Sequence, residues 1–350
     1  MTYKYELGKK HIACKNNANT DIVESNGSII DMMSRGYGVI PSAEAKYEDY
    51  LGLTVVTEEI AKINPEVAAV LADLAVAREI LTRYGNAQGK ELASANEVIA
   101  VICSEPGITS LNSVSATLVK SENGYTLNGK KLVSSEQMNS DKFIVLAKDE
   151  NEKIQLVCLT KEQFNIVGVT KKVAGKNVLL NQAVVETSIT EAQLVGSIND
   201  DFEAVLSIAR TLIAAVAIGI GHSAIVSSIQ TAKEVKGAEN RLALSNTQSL
   251  QFTLADMFTE VEAGRMLAYF SADTIDKAKP NVKYATMAKI QASDAAAAVS
   301  VQALQILGNL GYLGNNEFAD VIMSAVNCQV KGGTNRVQKN QLYKYLLAKK

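Results

Sequence analysis

The sequence predicts an α+β protein of several domains: an N-terminal helical domain, a small central antiparallel β-domain or barrel, and a C-terminal four-helix bundle. Three changes of periodicity predict this order. Apolar residues recur at helical spacing up to about residue 99, at strand spacing over 100–198, and again at helical spacing over 199–350. A chain of 350 residues is long enough for more than one domain. We therefore expect domains at 1–99, 100–198 and 199–350, with an irregular stretch over residues 1–28.

The first helical domain rests on the pattern of residues 48–85, where apolar side chains follow i, i+3, i+4, i+7 spacing. Pro65 follows Asn64 and marks a break with a new helix start, because the first helical position needs no N–H donor. Gly85 is a plausible C-terminal cap. This segment predicts two consecutive helices.

The central domain rests on runs rich in β-branched residues. These runs are 98–103, 117–133, 142–148 and 153–160. Asn-Gly pairs at Asn123–Gly124 and Asn128–Gly129 are strong hairpin signals. Short strands separated by such turns predict a compact antiparallel sheet or barrel.

The third domain begins with residues 204–235, which are apolar on more than one face. Small residues such as Ala214, Ala217 and Gly219 would let neighbouring helices approach closely. A helix of this kind belongs inside a bundle or at a subunit interface, so we expect an oligomer. Residues 249–276 and 282–308 predict two further long helices.

Composition excludes several classes of protein. The net charge is −2 and the pI about 5.9, which argues against nucleic-acid and membrane partners. The start of the chain has no apolar leader, and the most apolar stretch, 212–220, is shorter than a membrane span, so a cytoplasmic protein is expected. Four scattered cysteines and two histidines predict no metal site and no disulfide framework.

The C-terminal segment 305–338 carries the most specific motif. It reads QILGNLGYLGNNEFADVIMSAVNCQVKGGTNRVQ. It resembles the C-terminal signature of the acyl-CoA dehydrogenase family, a Gln-Ile-Leu-Gly-Gly-x-Gly-Tyr run followed by Glu-Gly-Thr-Asn-Glu-Ile-Gln. The matching residues are Gln305, Gly308, Gly311, Tyr312, Gly333, Thr334, Asn335 and Gln338.

Other segments extend the resemblance in the order that the family has. Residues 104–110 are similar to its Thr-Glu-Pro-x-Ala-Gly-Ser-Asp motif, and 124–131 to its Gly-Tyr-x-Leu-Asn-Gly-x-Lys motif. Residues 248–257 reproduce its Gln-x-x-x-Phe-x-Leu-Ala-Asp-Met segment. The matches span roughly residues 50–345, so the chain is identified as a divergent member with the family's α, β, α fold.

The resemblance implies a flavoprotein oxidoreductase that carries out α,β-dehydrogenation in fatty acid metabolism. In the family, a carboxylate removes the α-proton of an acyl-CoA thioester, the β-hydride passes to flavin N5, and electrons leave to an electron-transferring flavoprotein. FAD carries the redox step, and the protein positions and polarises the thioester. We therefore expect FAD, an acyl-CoA and an electron-transferring flavoprotein as ligands and partners.

The resemblance also assigns roles to individual residues. The predicted cofactor-binding residues are Ser104, Ser110, Ser135, Gln248, Gln305, Gly308, Gly311, Thr334 and Asn335. Ser110 and Arg210 are expected to bind the substrate. Gln305, Gly308 and Gly311 match a loop that reaches FAD across the dimer interface, where glycine permits close backbone approach. For each residue the competing interpretation is turn chemistry or ordinary packing.

The chain departs from the family at the catalytic base. The usual Glu falls on Gly332, and the alternative Glu position on the first long C-terminal helix falls on Ala209. No catalytic residue is therefore assigned, although Glu203 lies nearby in sequence. Glu58 and Glu59 are interpreted as structural or surface carboxylates.

Parts of the expected flavin site are also missing. The Trp that covers the flavin falls on Val133, and the arginine motif that holds the pyrophosphate falls in 235–246, where Lys236 or Arg241 could substitute. A lysine does not replace the bidentate fork of an arginine freely.

Three functions are compatible with these residues. The leading hypothesis is a subunit without the base that completes a heteromeric acyl-CoA dehydrogenase, with FAD shared with a related chain. The alternatives are a homomeric flavoenzyme with altered chemistry and a flavin-free acyl-CoA-binding scaffold. The acyl chain, cofactor occupancy and homomer-versus-heteromer question stay open at this point.

Overall fold

A computed structural model describes residues 8–42, 46–107, 114–134, 137–163, 165–166, 180–198, 202–236, 243–312 and 318–347. The chain divides into two compact units. One comprises Met1–Tyr37, Pro41–Ala69 and Leu206–Lys350, and the other comprises Gly38–Ile40 and Val70–Val205. We call them the helical unit and the β unit. The domain limits at residues 99 and 198 stay a prediction.

The helical unit begins with helices α1 (Lys9–Glu24), α2 (Ile29–Ser34) and α3 (Tyr50–Ile63), and α4 (Pro65–Tyr84) starts in it. The start of α3 is capped twice. Asp49 accepts a hydrogen bond from the Gly52 amide at 2.7 Å, and Asp276 accepts from the Tyr50 amide, also at 2.7 Å. These bonds satisfy amides that have no partner inside the helix.

The expectation of an irregular start over residues 1–28 is wrong for Lys9–Glu24, which is a helix. Its sequence is polar on average, and the residues it buries are His11, Ala18 and Ile22. This short stripe, spaced by seven and four residues, is enough to pack α1 against α3 but is too sparse to show as a sustained helical period.

The β unit contains the short helix α5 (Ala87–Ala93) and one twisted sheet. Its strands are β1 (Ile99–Ile102), β2 (Thr117–Ser121), β3 (Gly124–Ser134), β4 (Lys142–Lys148), β5 (Ile154–Thr160), β6 (Asn165–Ile166), β7 (Leu180–Ile189) and β8 (Leu194–Ile198). The strand order is β6-β7-β3-β2-β4-β5-β8, and β1 pairs with β4. Most pairs are antiparallel, as predicted, whereas β1 and β2 run parallel to β4.

One of the two hairpin signals is wrong. Asn123 lies in the tight turn between β2 and β3, but Asn128–Gly129 lies inside β3, where Asn128 pairs with Thr117. A Cβ on Gly129 would stand 2.6 Å from the Cβ of Ala116. This glycine therefore serves a close approach of two chain segments and not a turn.

The helical unit is completed by five helices: α6 (Glu203–Glu234), α7 (Gln248–Asp276), α8 (Val282–Leu307), α9 (Phe318–Val330) and α10 (Asn335–Leu347). Helices pack closely where glycines face small residues. A Cβ on Gly264 of α7 would lie 2.9 Å from the Ala292 Cα of α8, and one on Gly219 of α6 would lie 2.5 Å from the Ala61 Cβ of α3. The predicted C-terminal bundle is confirmed.

Helix α6 is longer and more apolar than the stretch 212–220 suggested. By length and composition alone, Ala204–Glu234 could cross a membrane. However, 89% of its most apolar window is buried inside the protein. That burial is typical of the central helix of a bundle.

Candidate functional site

The turn between α9 and α10 is where the resemblance puts the catalytic base. Gly332 and Gly333 lie there with φ of +67° and +91°, in the left-handed region that favours glycine. Both residues are exposed. A Cβ added to Gly332 would stand 2.6 Å from Cδ1 of Ile213 on α6. The backbone conformation therefore favours glycine here, and a side chain would also require Ile213 to shift.

Lys289 of α8 is hydrogen-bonded to this turn from the interior of the protein. Its ammonium donates to the carbonyl oxygens of Gln329 and Gly333, both at 2.9 Å, and to Oδ1 of Asn335 at 2.6 Å. The Lys289 side chain is completely buried. Burial lowers the pKa of Lys289 to about 8. One buried cation thus joins the end of α9, the turn and the start of α10.

Asn335 connects the turn to α8 a second time. Its Nδ2 donates to Ser293 Oγ at 2.9 Å and to Asp294 Oδ1 at 2.6 Å. Burial opposes ionisation of Asp294, but hydrogen bonds from Lys339, Asn335 and Gln329 outweigh it and hold the pKa of this carboxyl below its usual range. Both polar ends of the Asn335 side chain are therefore engaged by the protein itself.

Gln338 closes the turn from α10. Its Nε2 donates to the carbonyl oxygen of Gly332 at 2.8 Å, and its side chain is almost fully buried. Thr334, in contrast, is exposed at the start of α10. The turn therefore keeps a defined conformation while presenting two glycine peptides and one threonine to solvent.

The second base position, Ala209, is half-buried on α6 and is followed by Arg210. Arg210 is buried and donates to Thr286 Oγ1 at 3.0 Å and Gln341 Oε1 at 3.1 Å. These bonds tie α6 to α8 and α10. Arg210, which was predicted to bind the substrate, thus has a structural role in the described contacts. Its contact with substrate stays a prediction.

The other predicted cofactor residues of the helical unit lie mostly at the surface. Gln248, Gln305 and Gly308 are exposed. Gly308 ends α8 with φ of +57°, and a Cβ there would meet no atom within 4 Å. Gly311 is buried, and a Cβ on it would lie 2.6 Å from Leu304 Cδ1. Gly308 leaves open space for a ligand, whereas Gly311 serves the packing of its own loop.

Several predicted residues lie outside the described part of the chain. Ser110 and Ser135 are among them, as is Arg241. The Glu203 side chain also lies outside it. Their proposed contacts with cofactor, substrate or proton stay predictions.

In the β unit, two motifs of the resemblance meet in a buried ion pair. Glu105 accepts from Lys131 Nζ at 2.5 Å and from Ser115 Oγ at 2.6 Å, and Lys131 also donates to the Leu146 carbonyl. Burial opposes ionisation of Glu105, but the bonds from Lys131 and Ser115 outweigh it and keep its pKa below the usual range. The pair joins the segment of Ser104, which is exposed, to strand β3.

Val133 stands where the family has its flavin-covering Trp. It is buried in the core cluster of the β unit. Its side chain therefore contributes to the sheet packing and is not available at the surface.

The carboxylates of α3 are structural, as interpreted from the sequence. Glu58 accepts from Arg265 Nε at 3.0 Å and from the Tyr269 hydroxyl at 2.8 Å. Glu59 is paired with Lys62 at 2.5 Å and accepts from Asn19 at 3.0 Å. Burial and the neighbouring Glu58 raise the pKa of Tyr269. Both carboxylates are committed to joining helices.

Sequence reasoning missed Lys289. A signal was present, because Ala285, Ala288, Ala292 and Ala296 mark the inner face of α8 and Lys289 shares that face. A lysine on an apolar face needs acceptors within the fold, and the turn supplies them.

Comparison with known proteins finds acyl-CoA dehydrogenases. Residues 201–347 match the model of the acyl-CoA dehydrogenase C-terminal domain. An acyl-CoA dehydrogenase of Bacillus subtilis is 29% identical over 316 residues, which cover 85% of this chain and 83% of that protein. The chain is thus similar to acyl-CoA dehydrogenases over most of its length, and its residues 201–347 carry their C-terminal domain. A subunit of a caffeyl-CoA reductase–Etf complex of Acetobacterium woodii is 25% identical over 94% of this chain and 93% of its own length.

Solved structures of acyl-CoA dehydrogenases have the same fold as this chain. The butyryl-CoA dehydrogenase of Megasphaera elsdenii superimposes with a TM-score of 0.84 at 24% identity, covering 98% of this chain and all of that one. The order of helices and sheet predicted from the sequence is thereby confirmed.

The described residues are compatible with the FAD that the family implies. Open space at Gly308 and the exposed hydroxyl of Thr334 leave room for a ligand. The Asn335 side chain is fully occupied, so a ligand there would meet backbone and not its amide.

Proposed function

We propose that this chain is the subunit without a catalytic base in a heteromeric, FAD-dependent acyl-CoA dehydrogenase, and that a related chain supplies the carboxylate. The observation that carries the proposal is the turn at Gly332. The turn keeps its buried supports, Lys289 and Gln338, although the residue that would act on substrate is absent.

The backbone conformation at position 332 favours glycine, so the loss of the base involves more than the removal of a side chain. Gly332 adopts a left-handed conformation that a glutamate would enter at a cost of about 1–2 kcal/mol, and Ile213 stands in the direction of a side chain. The second family position is Ala209. A positioned general base contributes typically 10²–10⁴-fold in rate, so we expect the chain alone to turn over acyl-CoA very slowly.

Retention of the turn and of surface residues at α8 supports a shared flavin site. When bound, FAD would accept the hydride from the acyl-CoA. Gln305, Gly308 and Thr334 are exposed, and in the family their counterparts contact the cofactor. Their role here is to hold and orient FAD beside a partner that performs the proton transfer.

Exposed apolar side chains support association with a partner chain. Phe252 and Phe258 of α7 are 62% and 52% exposed, and Val226 of α6 is 49% exposed. Exposed apolar residues mark a protein contact where they form a contiguous patch. By analogy with the relative that belongs to an Etf complex, we propose an electron-transferring flavoprotein as electron acceptor. We also propose the cytoplasm as location.

The deciding experiment is a visible absorption spectrum of the chain purified alone and after co-expression with its nearest genomic paralogue that keeps Glu-Gly-Thr. Flavin bound only in the co-expressed complex supports the proposal. A matched pair of variants then locates the base. Glu→Gln in the partner's Glu-Gly-Thr motif should abolish flavin bleaching by acyl-CoA, whereas Ser300→Ala here, at a buried hydroxyl with no hydrogen-bond partner among the described residues, should leave it unchanged.

Two results would contradict the proposal. Flavin bound and reduced by acyl-CoA in the chain alone would indicate a homomeric enzyme with an unusual base. Acyl-CoA binding without flavin in either preparation would indicate a binding scaffold.

A further inference from the structure

The Gly332 turn is joined to α8 by the Lys289 side chain, which makes hydrogen bonds as well as packing contacts. Lys289 is wholly buried and has three oxygen acceptors: two carbonyls that flank the turn and the amide oxygen of Asn335. An ammonium group has three N–H donors, so these acceptors account for its full capacity.

We propose that Lys289 is the positioning residue of the Gly332 turn, which it fixes in one conformation by binding the oxygens of Gln329, Gly333 and Asn335 together. The two glycines give the turn backbone freedom that has to be restricted from outside. The restriction presents Thr334 and the glycine peptides to a ligand before it arrives. Preorganisation of this kind lowers the ordering cost of binding.

The charged surroundings of Lys289 come from each helix packed against it. Arg210 of α6 disfavours its charge, whereas Cys328 of α9 and Asp294 of α8 favour it. Asp294 is itself paired with Lys339 of α10 at 3.1 Å. The net result follows from burial, which favours the neutral amine.

This environment gives the proposed role a pH signature. In the closed turn the pKa of Lys289 is about 8, whereas in an opened turn it returns towards the ordinary value of 10.5. Opening therefore takes up a proton between about pH 8 and 10, so the closed turn is favoured as the pH rises through that window. With one proton involved, the opening constant falls by up to about tenfold per pH unit.

Native-state trypsin digestion tests the role, because Lys331 stands directly before Gly332 and cleavage there requires the turn to open. The rate of cutting at the Lys331–Gly332 bond is followed by mass spectrometry and divided by the rate for a free peptide of residues 327–337. This division removes the pH dependence of trypsin itself. The Lys153–Ile154 bond, where the exposed 150–153 turn meets β5, is the internal reference.

Lys289→Met should raise the normalised rate at pH 7.5 by about tenfold or more, because the oxygens of Gln329, Gly333 and Asn335 lose their donor. The matched control is Ser300→Ala on the same helix, since Ser300 is buried and its hydroxyl has no hydrogen-bond partner among the described residues. It should leave the rate unchanged. In the unmodified chain the rate should fall from pH 8 to 9.5, and in Lys289→Met this slope should vanish.

An unchanged rate in a folded Lys289→Met variant would overturn the proposal, and so would a flat pH profile of the unmodified chain, which needs no variant. The assay uses the chain without flavin. Its failure is therefore distinguishable from failure of the proposed function, which is judged by flavin in the partnered complex. The claim that the ordered turn presents Thr334 and the glycine peptides to flavin rests on that proposed function. The flavin affinity of the complex should fall in Lys289→Met and not in Ser300→Ala.

Discussion

Gly332 lies against Ile213 so closely that a side chain at position 332 would require Ile213 to move. The direction in which a Cβ of Gly332 would point is taken by Cδ1 of Ile213, 2.6 Å away, and the glycine backbone has φ of +67°. A glycine in the left-handed conformation, packed near Ile213, stands where the family has its base.

Restoring the glutamate should destabilise the chain without restoring activity. Gly332→Glu is expected to lower the free energy of unfolding by about 1–2 kcal/mol, because a non-glycine residue is forced into the left-handed region. Gly332→Ala should lose nearly as much, since it carries the same backbone cost. Urea denaturation measures both, and a variant as stable as the unmodified chain would show that the turn readily adopts another conformation.

Breaking the buried pair in the β unit should be costly at neutral pH. Lys131→Met leaves the Glu105 carboxylate buried without its cation, which typically costs about 3–5 kcal/mol. The pKa of Glu105 is lowered in the folded protein, so its stabilising contribution is complete above its ordinary pKa of 4.5 and is lost as the pH falls through the lowered value. The penalty of Lys131→Met, measured by denaturation, should therefore be complete at pH 7 and shrink as the pH falls below 4.5.

The double variant Glu105→Gln/Lys131→Met provides the control for that experiment. It removes both charges, so it should recover much of the stability lost in Lys131→Met. Equal losses in the single and double variants at pH 7 would show that the charge of Glu105 is not the cause.

Arg210 should matter for folding more than for ligand affinity. Arg210→Met removes bonds to Thr286 and Gln341 and leaves their oxygens without this donor, so the melting temperature should fall by several degrees. Acyl-CoA affinity of the folded fraction, measured by calorimetry in the partnered complex, should change little. A large loss of affinity at unchanged melting temperature would instead identify Arg210 as a substrate ligand.

The contact between α3 and α6 should not tolerate one additional methyl group. Gly219→Ala places a Cβ 2.5 Å from that of Ala61 and 2.6 Å from the Glu58 carbonyl oxygen, and overpacking of this kind typically costs about 1–3 kcal/mol. Gly8→Ala is the matched control, because the nearest atom to its new Cβ is 3.8 Å away. Its effect should stay within about 0.5 kcal/mol.

The fold could be predicted largely because periodicity is a local property. The apolar spacing over α3 and the β-branched runs over β4 and β5 are read directly from the sequence, and the structure has a helix and two strands there. Helix α1 was not predicted because it buries few apolar residues. Gly129 was misread because the same Asn-Gly pair suits a turn or a close approach, and the distant Ala116 decides between them.

The candidate site could be predicted only in part. Motif spacing located the Gly332 turn and the absence of its base. The supports of that turn could not be predicted, because Lys289 and Asn335 are 46 residues apart and are joined only by tertiary packing. The Glu105–Lys131 pair is similar: both residues stand in recognisable motifs, yet nothing in either motif states that they touch.

The division of the chain into units also sets an order of events during synthesis. Helices α1–α3 belong to the same unit as the segment that begins at Leu206, but the β unit is translated between them. Domains generally fold as units as the chain emerges from the ribosome. The β unit can therefore complete its sheet first, while α3, which is buried from Leu51 to Ala61 in the finished protein, waits for α6 and α7 to be made. During that interval its apolar surface needs protection, so nascent chains of this protein should depend on chaperones until the last helices leave the ribosome.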